Sequence, residues 1–191
     1  MKKLFSLLIV AFLSASLFAQ TKWNADPMHS KLTFSVTHLG ISDIDGLFNK
    51  FQVSAVTSQA DFSDAVFELS VEVSSINTQV EMRDNHLRSA DFFEVEKYPS
   101  MTFKSTSISK VSKDKYKLSG NLTLRGITKP VTMDLWYRGT IENAQPKKST
   151  SGFQLTGTIK RSDFNIGAKF PEPMLSDNVR IKADGEFVKE L

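Results

Sequence analysis

The chain has 191 residues, enough for one domain with a substantial core, and 40% of them are hydrophobic. It holds 24 basic and 21 acidic side chains and no cysteine, which excludes a disulfide framework and a lipid-modified N-terminal cysteine. No basic run or stripe favours nucleic acid as a partner.

The N-terminus reads as a leader. Lys2 and Lys3 precede an apolar run over 4–18 that is broken only by Ser6, Ser14 and Ser16, and Ala19 is a small residue at a cleavage position. This predicts a signal peptide over 1–19, a mature domain over 20–191 beginning at Gln20, and export. The run falls short of the roughly 20 apolar residues that cross a bilayer, so no stable membrane anchor is expected. Without Lys2 and Lys3 the net charge drops from +3 to +1.

From Gln20 onward the pattern has a period of two, as in strands with one buried face. A first strand is expected through Trp23. In 31–39, Leu32, Phe34 and Val36 alternate with Thr33, Ser35 and Thr37, and His38 falls in the apolar phase. A strand is expected through Phe51 and Val53, then another over 65–74 with Phe67, Leu69, Val71 and Val73 on one face. Thr78 and Glu81 have capping-box spacing, which predicts a helix of about three turns over 79–90. Strands resume through Met101 and Phe103, then with Tyr116, Leu118, Leu122 and Leu124, with Gly120 in phase. Val131, Met133, Leu135 and Tyr137 mark the next. Residues 145–151 read as an exposed hairpin loop. Phe153, Leu155 and Ile159 and then Val179, Ile181, Ala183 and Phe187 complete the set.

Eight or nine sequential strands with one wet face predict an all-β, up-and-down antiparallel barrel with one helix, because closure removes exposed edges. A β-sandwich has the same alternation and stays open as the alternative. An eight-stranded barrel has an interior that side chains can just fill or that holds one small ligand, and periodicity does not separate the two.

Catalytic signatures are missing. His29, His38 and His86 lie on three segments with no zinc-site spacing, so no metal and no cofactor is expected. No nucleophile elbow, phosphate loop or dinucleotide fingerprint occurs. The expectation is a protein that is not an enzyme. Glu81, Arg83, Asp84, His86 and Arg88 form the one dense polar cluster. Its plain reading is an Asp84–Arg88 helix pair with the rest solvated; its functional reading is that Arg83 or His86 meets a ligand's polar head. Of 15 phenylalanines, only Phe5, Phe12 and Phe18 fall in the leader. Phenylalanine has no polar atom, so it can line an apolar tunnel or simply fill a core.

These residues resemble the YceI family. The opening matches in Trp23-Asn24-Ala25-Asp26-Pro27, His29-Ser30, Phe34-Ser35-Val36 and His38-Leu39-Gly40, with Gly46 and Phe48 following. The middle matches in Arg83-Asp84, His86-Leu87, Phe92-Phe93, Lys97-Tyr98-Pro99 and Thr102-Phe103-Lys104-Ser105. Later matches are Gly120-Asn121-Leu122-Thr123-Leu124, Gly126-Ile127-Thr128-Lys129-Pro130-Val131, Arg161-Ser162-Asp163-Phe164 and Asp177-Asn178-Val179. The family usually places glycine directly after that last phenylalanine. Here Asn165 stands there, a residue that tolerates left-handed backbone, so the turn is expected to survive.

The resemblance implies a lipocalin-like periplasmic barrel that binds a polyisoprenoid or similar long-chain amphiphile inside it, with no catalytic centre. A nine-residue strand spans about 30 Å, enough for much of an extended tail. On strand phase, the expected lining is Phe34, Val36, Phe67, Leu69, Val71, Phe103, Leu122 and Leu124. His38 shares their phase, as a hydrogen-bonded core histidine or as a ligand contact, and Arg83 and His86 are candidate head-group contacts. Two rivals remain: a filled barrel that acts on a protein partner through its surface, and a lipid-modifying enzyme using His86 and Asp84 as acid and base. Pairing of two barrels is left open.

Overall fold

The computed structural model describes residues 20–143 and 148–190; the expected leader over 1–19 lies outside them. Eleven antiparallel segments form one sheet: β1 (Thr21–Ala25), β2 (Lys31–His38), β3 (Ser42–Phe48), β4 (Phe51–Thr57), β5 (Val66–Glu72), β6 (Ile76–Asn77), β7 (Ser100–Ser112), β8 (Lys115–Leu124), β9 (Ile127–Asn143), β10 (Lys148–Lys160) and β11 (Leu175–Lys189). Three pairs are single strands with a break. β1 continues into β2 across a 3-10 turn at Pro27–His29, β3 into β4 across Asn49 and Lys50, and β5 into β6 across a 3-10 turn at Val73–Ser75.

Counted this way, eight strands follow one another around a closed barrel. The ring closes because long β11 pairs with both halves of the first strand, Ala25 opposite Phe187 and Phe34 opposite Ile181. This is the barrel and not the sandwich. Leu124 and Ile127 are joined by Arg125 at φ 50° and Gly126 at φ 72°, the paired left-handed conformation that suits the twist of a tight hairpin.

Several boundaries differ from the expectations. β3 escapes the periodic reading because Gly46 interrupts its inward phase, leaving only Ile44 and Phe48 there. Val73 belongs to a 3-10 turn, and the expected loop at 145–151 contains β10 residues from Lys148 on; residues 144–147 lie outside the described ones. Asn165 does adopt the left-handed conformation, at φ 54°.

The helix, α1 (Glu81–Arg88), has about two turns instead of three, and no capping box forms. The Asp84 carboxylate takes hydrogen bonds from the Thr78 amide at 2.8 Å and the Thr78 hydroxyl at 2.5 Å, so Thr78 is already engaged before the helix starts. Nor does Arg88 pair with Asp84. Among the described residues β6 has a strand partner only in β3, and the Arg88 guanidinium donates instead to the Ser74 carbonyl at 2.8 Å and the Ile76 carbonyl at 2.9 Å. A planar fork thus satisfies an edge that lacks a neighbouring strand.

The barrel's two ends are closed differently. At one end Phe62, held at φ 59° in the loop before β5, packs its ring 4.9 Å from Phe153 and 5.3 Å from Trp23. Tyr116 anchors that loop by donating to the Asp61 carbonyl at 2.7 Å. At the other end lie α1, the turns after it, and the loop between β10 and β11. Buried Arg161 organises that loop, donating to the carbonyls of Ser176, Ile166, Gly167, Phe170 and Leu175.

Candidate functional site

Between the two closed ends the barrel is hollow. A cavity of about 220 Å³ runs through its centre, walled almost wholly by carbon. Inward-facing residues at mid-height, among them Leu69, Phe103, Ile181 and Ala183, are only half-buried because they border this space.

Small residues opposite large ones keep it open. Phe34 pairs with Gly46, and its ring occupies the space that a Cβ on Gly46 would need. Phe103 lies in the same way against Gly120, 2.5 Å from where a Cβ would stand, and Met133 against Gly157. Folded back over glycine, these bulky groups coat the wall without meeting in the middle.

Phe34, Val36, Phe67, Leu69, Phe103, Leu122 and Leu124 all stand in the cavity wall. Val71 does not: it is fully buried in the packed cluster with Val73, Ile76 and Met101 next to the 3-10 turn. His38 is exposed, at the end of β2 opposite Ser42 and Leu175, beyond the cavity. Phase alone places it inward, but the strand there has run past the rim.

Arg83 and His86 are not brought to the cavity either. Arg83 donates from Nε to the Thr78 hydroxyl and from Nη2 to the Thr78 carbonyl, both at 2.7 Å, and so fixes the helix start. His86 is exposed, with Nε2 3.4 Å from Asp91 and its ring edge-on to Phe92 at 5.0 Å. From the helix only Leu87 enters the wall. Asp84 is committed to Thr78 while His86 faces Asp91, so the acid–base pair is not assembled.

Sequence reasoning missed Phe48, Phe92, Phe93, Met133 and Ile166 in the wall. Three of these sit on loops or irregular segments where a period of two carries no information; Phe48 falls on the unrecognised β3. Met133 was legible from its phase.

An antiparallel barrel closed around an apolar cavity defines a lipocalin-like fold. The YceI-like domain model matches residues 23–187, and the chain belongs to that family. A UPF0312 protein of Staphylococcus aureus strain USA300 is 35% identical over 171 residues, covering 87% of this chain and 97% of that protein. Among solved structures, the Campylobacter jejuni YceI protein is 33% identical with a TM-score of 0.72, covering 81% of this chain and 90% of its own. BcnA of Burkholderia cenocepacia is 25% identical with a TM-score of 0.74, covering 85% and 98%. A polyisoprenoid binding domain from Saccharophagus degradans, implicated in plant cell wall breakdown, shares the fold at 16% identity and a TM-score of 0.66, covering 88% and 98%.

Proposed function

We propose that this protein binds one long apolar chain, a polyisoprenoid or similar amphiphile, inside the barrel, and stores or carries it in the periplasm after export. The observation that carries the reading is the carbon-walled hollow between two packed ends. Burial of a methylene is worth about 0.8 kcal/mol, so ten buried methylenes contribute roughly 8 kcal/mol. That is comparable to the 4–15 kcal/mol that association costs, and useful affinity follows from a longer chain or a polar anchor. The Saccharophagus domain described as polyisoprenoid binding has the same fold and supports this class of ligand. The leader-like N-terminus supports the compartment.

The test is native mass spectrometry of protein purified gently from the periplasm, followed by solvent extraction. A one-to-one adduct that yields a long apolar chain is expected. Ile181→Trp, which places a bulky ring in the cavity, should stay folded and lose the adduct. Absence of any adduct, together with failure to take up an apolar fluorescent probe, would overturn the proposal.

A further inference from the structure

Backbone pairing in the barrel wall is interrupted between the first two strands. Backbone pairing between the first two strands stops at Asn24 opposite Ser54 and resumes at Leu32 opposite Phe48. In between, each side is held by its other neighbour. Ala25 pairs with Phe187, the Asp26 amide donates to the Glu186 carbonyl at 2.8 Å, and Lys31 pairs with Asp184. Across the gap, Phe51 pairs with Val71 and Val53 with Leu69. Local chemistry explains the break. Pro27 cannot donate to a ladder, and Asp26 caps the 3-10 turn by accepting from the Met28 amide at 2.9 Å, which takes the chain out of line.

The seam lies between an inner and an outer hollow. Ala25, Phe51, Val53 and Leu69 border both the interior cavity and a hollow on the outer face of the sheet. Around that hollow stand Asn24, Gln52, Ser54 and Ser70, which are neutral hydrogen-bonding groups. Its two lysines are matched by carboxylates, Lys22 to Glu190 at 3.1 Å and Lys104 to Glu68 at 2.7 Å. At the seam itself Ser30 lines the cavity, and its hydroxyl is buried with no hydrogen-bond partner. Among the described residues only the Trp23 indole shares that condition. A buried hydroxyl left unpaired is costly, and such groups in native proteins have a reason.

We infer that the seam is the polar end of the binding site: the chain's tail lies in the barrel, and an uncharged head, an alcohol or carbonyl oxygen, hydrogen-bonds the Ser30 hydroxyl there. An anionic head is disfavoured, because it would be buried beside a neutral hydroxyl. The inference rests on the proposed cavity binding and assigns its head-group subsite.

The experiment displaces diphenylhexatriene from the full mature protein with hexadecane, hexadecanol or hexadecyl phosphate, in wild type and in Ser30→Ala. Hexadecanol should bind wild type more tightly than hexadecane does. Ser30→Ala should weaken hexadecanol by about three- to tenfold, leave hexadecane unchanged, and leave the melting temperature equal or higher, since an unpaired buried hydroxyl is gone. Equal loss for both ligands would mean a structural effect and would overturn the subsite, as would hexadecanol binding unchanged in the variant. Tighter binding of the phosphate than of the alcohol would overturn the uncharged head. If wild type binds neither diphenylhexatriene nor any chain, it is the cavity reading that fails.

Discussion

Phe34 holds its ring in the space that a Cβ on Gly46, its partner on the neighbouring strand, would fill. The relationship is part of how a phenylalanine-rich interior stays hollow. Gly46→Ala must push that ring toward the lumen or against Thr78, whose Cγ2 stands 2.9 Å from the added Cβ. We expect a loss of about 1–3 kcal/mol in urea unfolding, the usual cost of overpacking, together with weaker uptake of diphenylhexatriene. Unchanged stability and uptake would show that the wall yields freely.

Arg161 is the anchor of the loop between β10 and β11. It is buried, and five backbone carbonyls share its guanidinium. Lysine keeps the charge but has no planar fork, so Arg161→Lys should not rescue the loss caused by Arg161→Ala. Each variant is expected to lose about 3 kcal/mol or more, because several buried acceptors lose their donors. Hydrogen exchange over 162–175 should rise in both. A lysine variant as stable as wild type would refute this account.

Tyr116 closes the other end through one bond to the Asp61 carbonyl, 2.7 Å long. Tyr116→Phe keeps the buried ring and removes only that donor, so unfolding should shift by about 1 kcal/mol. Chain binding should be unaffected, since this end is packed solid. A strong loss of binding would place the working opening at this end instead.

His29 gives a pH readout beside the seam. Its Nδ1 lies 2.8 Å from the Asp26 carboxylate, and that hydrogen bond raises the histidine above its ordinary 6.5 and lowers the aspartate. A raised value in the folded state means that the contribution is fully present below pH 6.5 and disappears as pH climbs through the folded value. Titration of the His29 ring by NMR should give a midpoint above 6.5, returning toward 6.5 in Asp26→Asn. A midpoint already at 6.5 in wild type would mean that the pair does not persist in solution.

Much of the barrel was legible because strand alternation is a local consequence of pleating. Residues two apart share a face, so Phe34, Leu69, Phe103 and Leu122 could be assigned inward from spacing alone. Val71 and His38 show the limit of that rule. Phase gives the face of a strand but not the height in the barrel, and height decides whether an inward position meets cavity, packed end or solvent. Spacing likewise marked Thr78 as a helix-start residue, but which carboxylate would reach it depended on how the turn before α1 folds.

By itself the sequence determined the all-β class, the inward phase of most strands, the single helix and the family, since these depend on short-range periodicity and motif order. Only the tertiary structure decided that the centre is open and that strand pairing in the wall breaks beside Pro27. Both depend on which residues meet in space, Gly46 beneath the Phe34 ring or Pro27 displaced from β4, and residue spacing along one strand does not fix its register and packing against the next.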